Sequence, residues 1–443
     1  MSRNDSTFGV AVVGCGTVGS AVATMLTRDR ALLRAKMMPG MELRHVVDVD
    51  FSRAKDAGLD EKLFRRDLGD MLKDESVGAV VELIGGTTAA RDVIERSIRA
   101  GKHVVTANKA LLAHHGTELC DLARAGGVCI AFEASCAGGV PIIRALCSGL
   151  VANRIDAVYG IVNGTCNYIL TEMTTKGRSY AEALAEAQRD GLAEADPTLD
   201  VAGTDSAHKL AIIAALAFRQ RIDFDAIPIS GIDSLELFDV AYGQELGYVI
   251  KLLAIGQRQK EGLSLRVGPA FISKEHPLAW VSGPFNAVSV YGHATGHTMY
   301  YGRGAGGMPT ASAVVADLAS IAMGSAKLLF DRLKIMGDLA GAAQLPVEVI
   351  RSRYYIRMRV QDAPGVLAKI TAILGRGQIS ICSVLQHEQP AGTDPSAGVP
   401  LVITTYKAQE GAVRKALGEI DALDVVKAST VCIGIVDEHP EQL

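Results

Sequence analysis

A chain of 443 residues, 49% hydrophobic and 21% charged, carries enough apolar side chain for several cores, so two or three domains are expected. Its net charge of −4, with no run of Lys or Arg, argues against nucleic acid or an anionic membrane surface as main partner and points to small molecules. No apolar run approaches the roughly 18 residues that span a bilayer, and MSRNDSTFGVAVVG lacks the layout of a secretory signal, so a cytoplasmic location is expected.

Residues 8–13 form an apolar strand that enters a turn with Gly14, Gly16 and Gly19, after which SAVATMLTRDRALL has helical periodicity. Further strands are expected in ELRHVVDVD, AVVELIG, HVVTAN and VCIAFEAS, separated by helical stretches. That alternation implies a parallel sheet with right-handed crossovers, a Rossmann-type α/β domain over residues 1–140. Pro141 sits near the start of another helix. Residues 141–301 mix expected helices (YAEALAEAQRDG, DSAHKLAIIAALAF, YVIKLLAIGQRQ) with β-like stretches (IDAVYGIVNG, LSLRVGPAFI, AVSVYGH) and read as an α+β domain. From about 302 to 335, a glycine loop feeds a long apolar helix that returns to the first domain. A linker over 336–352 precedes a tail, 353–443, whose pieces follow the order βαββαβ, with the polar loop EQPAGTDPSAGV between two strands.

The glycine spacing after a strand and before a helix suits a dinucleotide: the backbone approaches the pyrophosphate, and Thr17 and Val18 meet it through their main chain. An acid at the end of the second strand, Asp48 or Asp50, favours the ribose hydroxyls of NAD, whereas Arg53 and Lys55 just beyond favour the extra phosphate of NADP. Thr106 and Lys109 fall at the carboxyl end of the HVVTAN strand, the edge where such sheets bind ligands. In GLAEADPTLDVAGTDSAHK, the acids Glu194, Asp196, Asp200 and Asp205 are closed by Lys209. If Pro197 opens a helix, Asp205 and Lys209 stand four apart on one face, within ion-pair reach. Glu133 in EASCAGGVP reads either as part of a tight glycine turn or as one side of a monovalent-cation nest. Asn163-Gly164-Thr165 is equally a capped turn or a ligand loop. Eight scattered cysteines, without C-x-x-C or zinc spacing, read as reduced thiols; His114 and His115 have no partner at metal spacing, and His208 beside Lys209 reads as a helix residue.

Six motifs in this order, GCGTVG, TANK, EASCAGGVP, NGTCNYIL, GLAEADPTLDVAGTDSAHK and GRGAGGMPTASAVVADL, resemble the homoserine dehydrogenase family over roughly residues 8–335. The tail, with QDAPGVLAKI and ISICSVLQ, is similar to an ACT domain. The resemblance implies reversible reduction of aspartate β-semialdehyde to homoserine with NAD(P)H. Lys109 and Lys209 would stabilise and protonate the carbonyl oxygen, with Asp205 orienting Lys209. Glu194, the Gly191 backbone and Asp200 would clamp the substrate. Thr106, Asn163, Gly164 and Thr165 would border the nicotinamide and substrate, and Gly304 to Gly306 would close over the cofactor. Glu133 with the backbone of Cys136, Gly138 and Val140 would hold Na⁺ or K⁺. Many relatives carry Arg where Val49 stands here, which tips the balance towards NAD. In the tail, Asp362, Gly365, Val366, Leu367 and Gln386 would hold an amino-acid effector, threonine by analogy, where two such domains pair, in a homodimer or homotetramer. The rival readings are another amino-acid dehydrogenase, such as one acting on aspartate, and a non-catalytic amino-acid sensor.

Overall fold

The computed structural model describes residues 7–337, 339–387 and 398–440. The loop EQPAGTDPSAGV, apart from Gly398 and Val399, lies outside the described residues. Strands β1 (Thr7–Val13), β2 (Gly40–Val47), β3 (Phe64–Arg65), β4 (Val77–Glu82), β5 (His103–Thr106) and β6 (Ile130–Ala131) form one parallel sheet. Its order is β3-β2-β1-β4-β5-β6, so the chain reverses direction across the sheet between β1 and β4 and leaves a crevice at their carboxyl ends. β6 is only two residues of the expected VCIAFEAS strand, because the chain turns at Glu133–Ser135.

A second sheet holds β7 (Ile155–Ile161), β8 (Tyr248–Arg258), β9 (Leu263–Ser273), β10 (Phe285–Gly292) and β11 (Gly296–Arg303), then β12 (Arg351–Val360), β13 (Ile381–Gln386), β14 (Val399–Thr405), β15 (Ala408–Gln409) and β16 (Val426–Val436). Its main order is β11-β10-β7-β8-β9-β16-β12-β14-β13, with β15 on β12. The segment YVIKLLAIGQRQ, expected as a helix, is β8. Leu252 and Ala254 point into one apolar cluster and Leu253 and Ile255 into another. A strand buried on both faces shows an unbroken apolar run, which periodicity cannot separate from a buried helix.

The tail follows β12, the helix Val366–Arg376, β13, β14, the helix Glu410–Asp421 and β16, the expected βαββαβ order. Its first strand begins at Arg351, inside the expected linker. The tail is not a separate sheet. Gly434, Ile435 and Val436 of β16 pair in parallel with Ala270, Phe271 and Ile272 of β9, so one edge of the tail is already occupied by its own chain.

Two helices position the site. The helix Lys109–Ala125 follows β5 and is capped by Asn108, whose Oδ1 accepts from Leu111 N at 3.1 Å. The helix Thr204–Phe218 is almost wholly buried and packs against it. It does not start at Pro197, which opens only the short helix Thr198–Val201; Gly203, at φ +86°, breaks the two apart. Among the described residues no single helix is long and apolar enough to cross a membrane.

Candidate active site

A cleft of about 470 Å³ opens at the β1/β4 crevice. One wall is the glycine turn, Gly16 to Val18, with Leu83, Gly85 and Gly86 beyond β4; the other is Glu194, Asp196, Leu199, Asp200, Asp205 and His208 from the second domain, with Lys109 between.

The glycines are there for space. A Cβ on Gly19 would lie 1.9 Å from Gly14 O, and one on Gly14 would lie 2.7 Å from Leu83 O at φ +92°. At Gly16 nothing lies within 4 Å, so the main chain faces open cleft beside the amino end of the helix Thr17–Arg28. This is the cradle a dinucleotide pyrophosphate requires. Gly307, beginning the helix Gly307–Ala322, comes against Thr17: a Cβ there would lie 3.1 Å from Thr17 O. The segment carrying Gly304 and Gly306 therefore does return to the nucleotide turn.

Asp48 is turned inward. Its Oδ2 accepts from Cys15 N, and its Oδ1 from Val49 N at 2.6 Å and Asp50 N at 3.1 Å. Those bonds tie β2 to the glycine turn and occupy most of the carboxylate. Val49 is exposed, and Arg53 donates to Thr17 Oγ1 at the cleft mouth.

At the centre, Asp205 Oδ1 lies 3.0 Å from Lys109 Nζ and its Oδ2 lies 2.7 Å from Lys209 Nζ. Lys209 also donates to Val162 O at 2.6 Å. Burial tends to raise the Asp205 carboxyl, but the two ammonium groups outweigh it and hold it well below the usual carboxylate range. Burial works against the charge on Lys109, yet Asp205 and Asp200 leave its pKa raised. An ammonium has three N–H groups. Among the described residues Lys209 spends two and Lys109 one, so each keeps a donor; Lys109 lines the cleft, whereas Lys209 is buried on Asp205 and does not line it.

Asn163 holds the acids in place. Its Nδ2 donates to Asp200 Oδ1 at 2.7 Å and Asp205 Oδ2 at 2.9 Å, while its Oδ1 caps the helix Gly164–Lys176 through Cys166 N. The Asn-Gly-Thr cap was visible in sequence, but not its reach to two acids. Glu82 is a second brace that spacing gave no sign of. Fully buried, it accepts from Ile84 N, Gly85 N and Thr106 Oγ1, fixing the turn after β4.

Two expected contacts stand behind the wall. Thr106 is fully buried and donates to Glu82 Oε2 at 2.6 Å. Thr165 donates to Leu192 O at 2.8 Å, tying the Gly191–Glu194 turn, with Gly191 at φ +70°, to its helix. Both shape the cleft without lining it. His208 does line it, stacked on Phe224 at 4.7 Å, and burial pushes its imidazole down to about 4, so it is neutral.

Glu133 is buried, its oxygens accepting from Ile143 N and Arg144 N at 2.8 Å each. Burial and neighbouring Asp317 push it up to about 7, and burial pushes Asp317 up to about 6, with Arg144 the charged group at 3.4 Å. Ala137 and Gly138 both have positive φ, which turns the 136–140 carbonyls out of a regular pattern. Two buried carboxylates facing one half-exposed guanidinium leave room for a cation. Among the described residues, no three His, Cys, Asp or Glu side chains converge as a metal centre.

Comparison with known proteins decides the family. The homoserine dehydrogenase family model matches residues 141–319, and the homoserine dehydrogenase NAD-binding domain model matches 14–133. The chain belongs to the homoserine dehydrogenase family. It is 41% identical over 430 residues to homoserine dehydrogenase of Pseudomonas aeruginosa (96% of this chain, 98% of the relative). To that of Neisseria gonorrhoeae it is 40% identical over 435 residues, covering 97% and 99%. The crystal structure of a homoserine dehydrogenase from Thiobacillus denitrificans superposes with a TM-score of 0.89 at 40% identity, covering 97% of this chain and 98% of that one. That of S. aureus gives 0.73 at 30%, covering 97% and 99%. The activity is that family's: an oxidoreductase using a nicotinamide cofactor, on a Rossmann-type sheet joined to a mixed-sheet domain.

Proposed function

We propose that the chain reduces the aldehyde of aspartate β-semialdehyde to homoserine, and runs the reverse, with Lys209 as the proton donor and Lys109 as the second cation on the carbonyl oxygen. One observation carries this reading: both ammonium groups sit on the two oxygens of a single buried carboxylate at the cleft. A bound nicotinamide supplies or takes the hydride. As negative charge builds on the substrate oxygen, preorganised ammonium donors stabilise it and Lys209 passes it a proton. Asp205 fixes Lys209 one helical turn away, and Asn163 fixes Asp205. Exposed Glu194 and partly buried Asp200, with the Gly191 turn, suit the substrate's α-ammonium. Steady-state homoserine oxidation tests the roles: Lys209→Ala should lower kcat by about two to four orders of magnitude with cofactor binding intact. Unchanged turnover would remove Lys209 from the mechanism.

For the cofactor, NAD is put ahead of NADP, on the acid ending β2 and the exposed Val49 beside it. Arg53 on Thr17 is the observation that favours NADP. Side-by-side kinetics decide it: Asp48→Ala should raise the KM for NAD more than for NADP, and equal effects would mean Asp48 serves only the turn. A Na⁺ or K⁺ ion would be held by Glu133 and the carbonyls of Cys136, Gly138 and Val140, stiffening the joint between the domains.

The tail is read as an ACT domain. Gly365, at φ +87°, opens its first helix, Leu367 is exposed, and Gln386 ends the outer strand β13, a surface suited to an amino-acid effector such as threonine. With β16 covered by β9, pairing between copies as a homodimer or homotetramer would use the end strands β11 or β13. A cytosolic location completes the reading.

A further inference from the structure

The seam between the two halves of the large sheet encloses a second cavity, of about 250 Å³, between β9, β16 and the helix Glu410–Asp421. It stands at the start of β12, whereas the Asp362–Leu367 turn follows that strand's far end. Arg266 of β9 lines it, and its guanidinium makes no hydrogen bond or ion pair among the described residues. The other charges facing the cavity are Arg414 and Glu410, already committed to each other at 3.0 Å, with Tyr354 donating to the second Glu410 oxygen at 2.7 Å. Asp437, beyond the end of β16, is taken by Arg353 and Lys407. The lining therefore carries one guanidinium in excess, half-buried, with its fork unused. Much of the remaining wall, including Ile255, Val267, Pro269, Ala270 and Leu417, is apolar, with Ser230 and Cys432 also on it. A free guanidinium against an apolar wall matches a small organic carboxylate: the fork takes both oxygens and the wall takes the hydrocarbon.

The cavity also touches the catalytic helix. Pro228 and Ser230 line it and are bonded to Val267 by Val267 N to Pro228 O and Ser230 N to Val267 O, both 2.9 Å. Ser230 O and Val267 Cγ1 in turn would lie 3.1 and 3.3 Å from a Cβ on Gly203, the residue that opens the helix of Asp205 and Lys209. Ile232 N donates to Val201 O at 2.9 Å, closing the same contact. We propose that this seam cavity is a binding site for a small organic carboxylate held by Arg266, and that its occupancy is felt at the amino end of the Asp205–Lys209 helix. The binding half of this proposal is independent of the catalytic roles; the coupling half rests on them.

Hydrogen exchange of the full chain, read by mass spectrometry, tests it with propionate as probe. At ten times its Kd, propionate should slow exchange of amides in 228–231, 264–270 and 410–417 that open only with the cavity by about tenfold. Protection should extend to 203–209. Propionamide, of the same shape without charge, should protect none of these segments. Arg266→Gln should lose the protection while homoserine oxidation without probe stays within about twofold, and Arg266→Lys should keep part of it. Equal protection by propionamide or by inorganic phosphate, or protection that survives Arg266→Gln, overturns the site. Protection of the cavity segments without 203–209 overturns the coupling. Should Arg266→Gln not fold, the propionate–propionamide contrast in the unaltered protein and the Arg266→Lys variant still decide. Loss of activity in Lys209→Ala bears on neither binding outcome, so the two readings fail separately.

Discussion

Asp205 and Asp239 are both buried carboxylates held by cations, but one cluster opens on a cleft and the other is closed. Around Asp239, Arg357 places Nε 2.7 Å from Oδ1 and Nη2 3.1 Å from Oδ2, Tyr355 donates at 3.1 Å, and Glu236 N donates at 3.1 Å. The Arg357 side chain is 4% exposed and its fork is spent. Around Asp205 the partners are ammonium groups with donors to spare, and Lys109 is 40% exposed. A planar guanidinium clamps; a rotatable ammonium can swing a donor to a new acceptor. The same electrostatics thus locks the tail onto the catalytic domain in one place and leaves an ion-paired cluster open to the cleft in the other.

Asp205→Asn should break the open cluster with the largest effect. A neutral amide cannot balance two ammonium groups, and kcat should fall by about two to three orders of magnitude, the scale of a lost electrostatic stabiliser. The residual activity carries the sharper reading. Asp205 raises the Lys109 pKa, so without it the alkaline loss of aldehyde reduction should move to lower pH. A pH profile that keeps its alkaline limb would place the titrating group elsewhere.

In the closed cluster, Arg357→Leu should leave kcat of the folded enzyme unchanged and cost about 3–5 kcal/mol of stability, because Asp239 is stranded in the core. Thermal unfolding checks it. Pairing Arg357→Leu with Asp239→Leu should recover most of the loss, since a well-packed apolar pair replaces an ion pair at little cost. The matching double change at Asp205 and Lys209 should recover no activity.

What was legible in the sequence was local. The glycine turn, the strand-end Lys109 and the Asp205/Lys209 spacing each depend on a few consecutive residues or one helical turn, and the structure brings the turn, Lys109 and Asp205 to one cleft, with Lys209 buried on Asp205. What escaped depends on distance or on burial from both sides. Asn163 bridges acids 37 and 42 residues away. Glu82 reaches Thr106 across neighbouring strands. β8 lost its strand signature because both of its faces are apolar, and the join of tail to catalytic sheet rests on three paired residues in each strand.

Lys251 gives the comparison a third case, a buried cation with no carboxylate partner among the described residues. It is 3% exposed on β8 and donates to Val281 O at 2.6 Å and Asn167 Oδ1 at 3.2 Å, behind the helix that Asn163 caps. Burial lowers its pKa to about 8. The unfolded chain, with an ordinary lysine near 10.4, therefore binds more protons between about pH 8 and 10, so this group's contribution to stability rises with pH across that window. Below pH 8 the charged form costs about 3 kcal/mol, a penalty that fades as the proton leaves. Lys251→Met removes the charge but also two hydrogen bonds, so the margin between its unfolding midpoint and that of the unaltered chain should move steadily in favour of the unaltered chain from pH 8 to pH 10. A margin that stays flat over that range would mean Lys251 keeps its proton through the protein's working range, and that its two oxygen acceptors alone suffice for a buried ammonium.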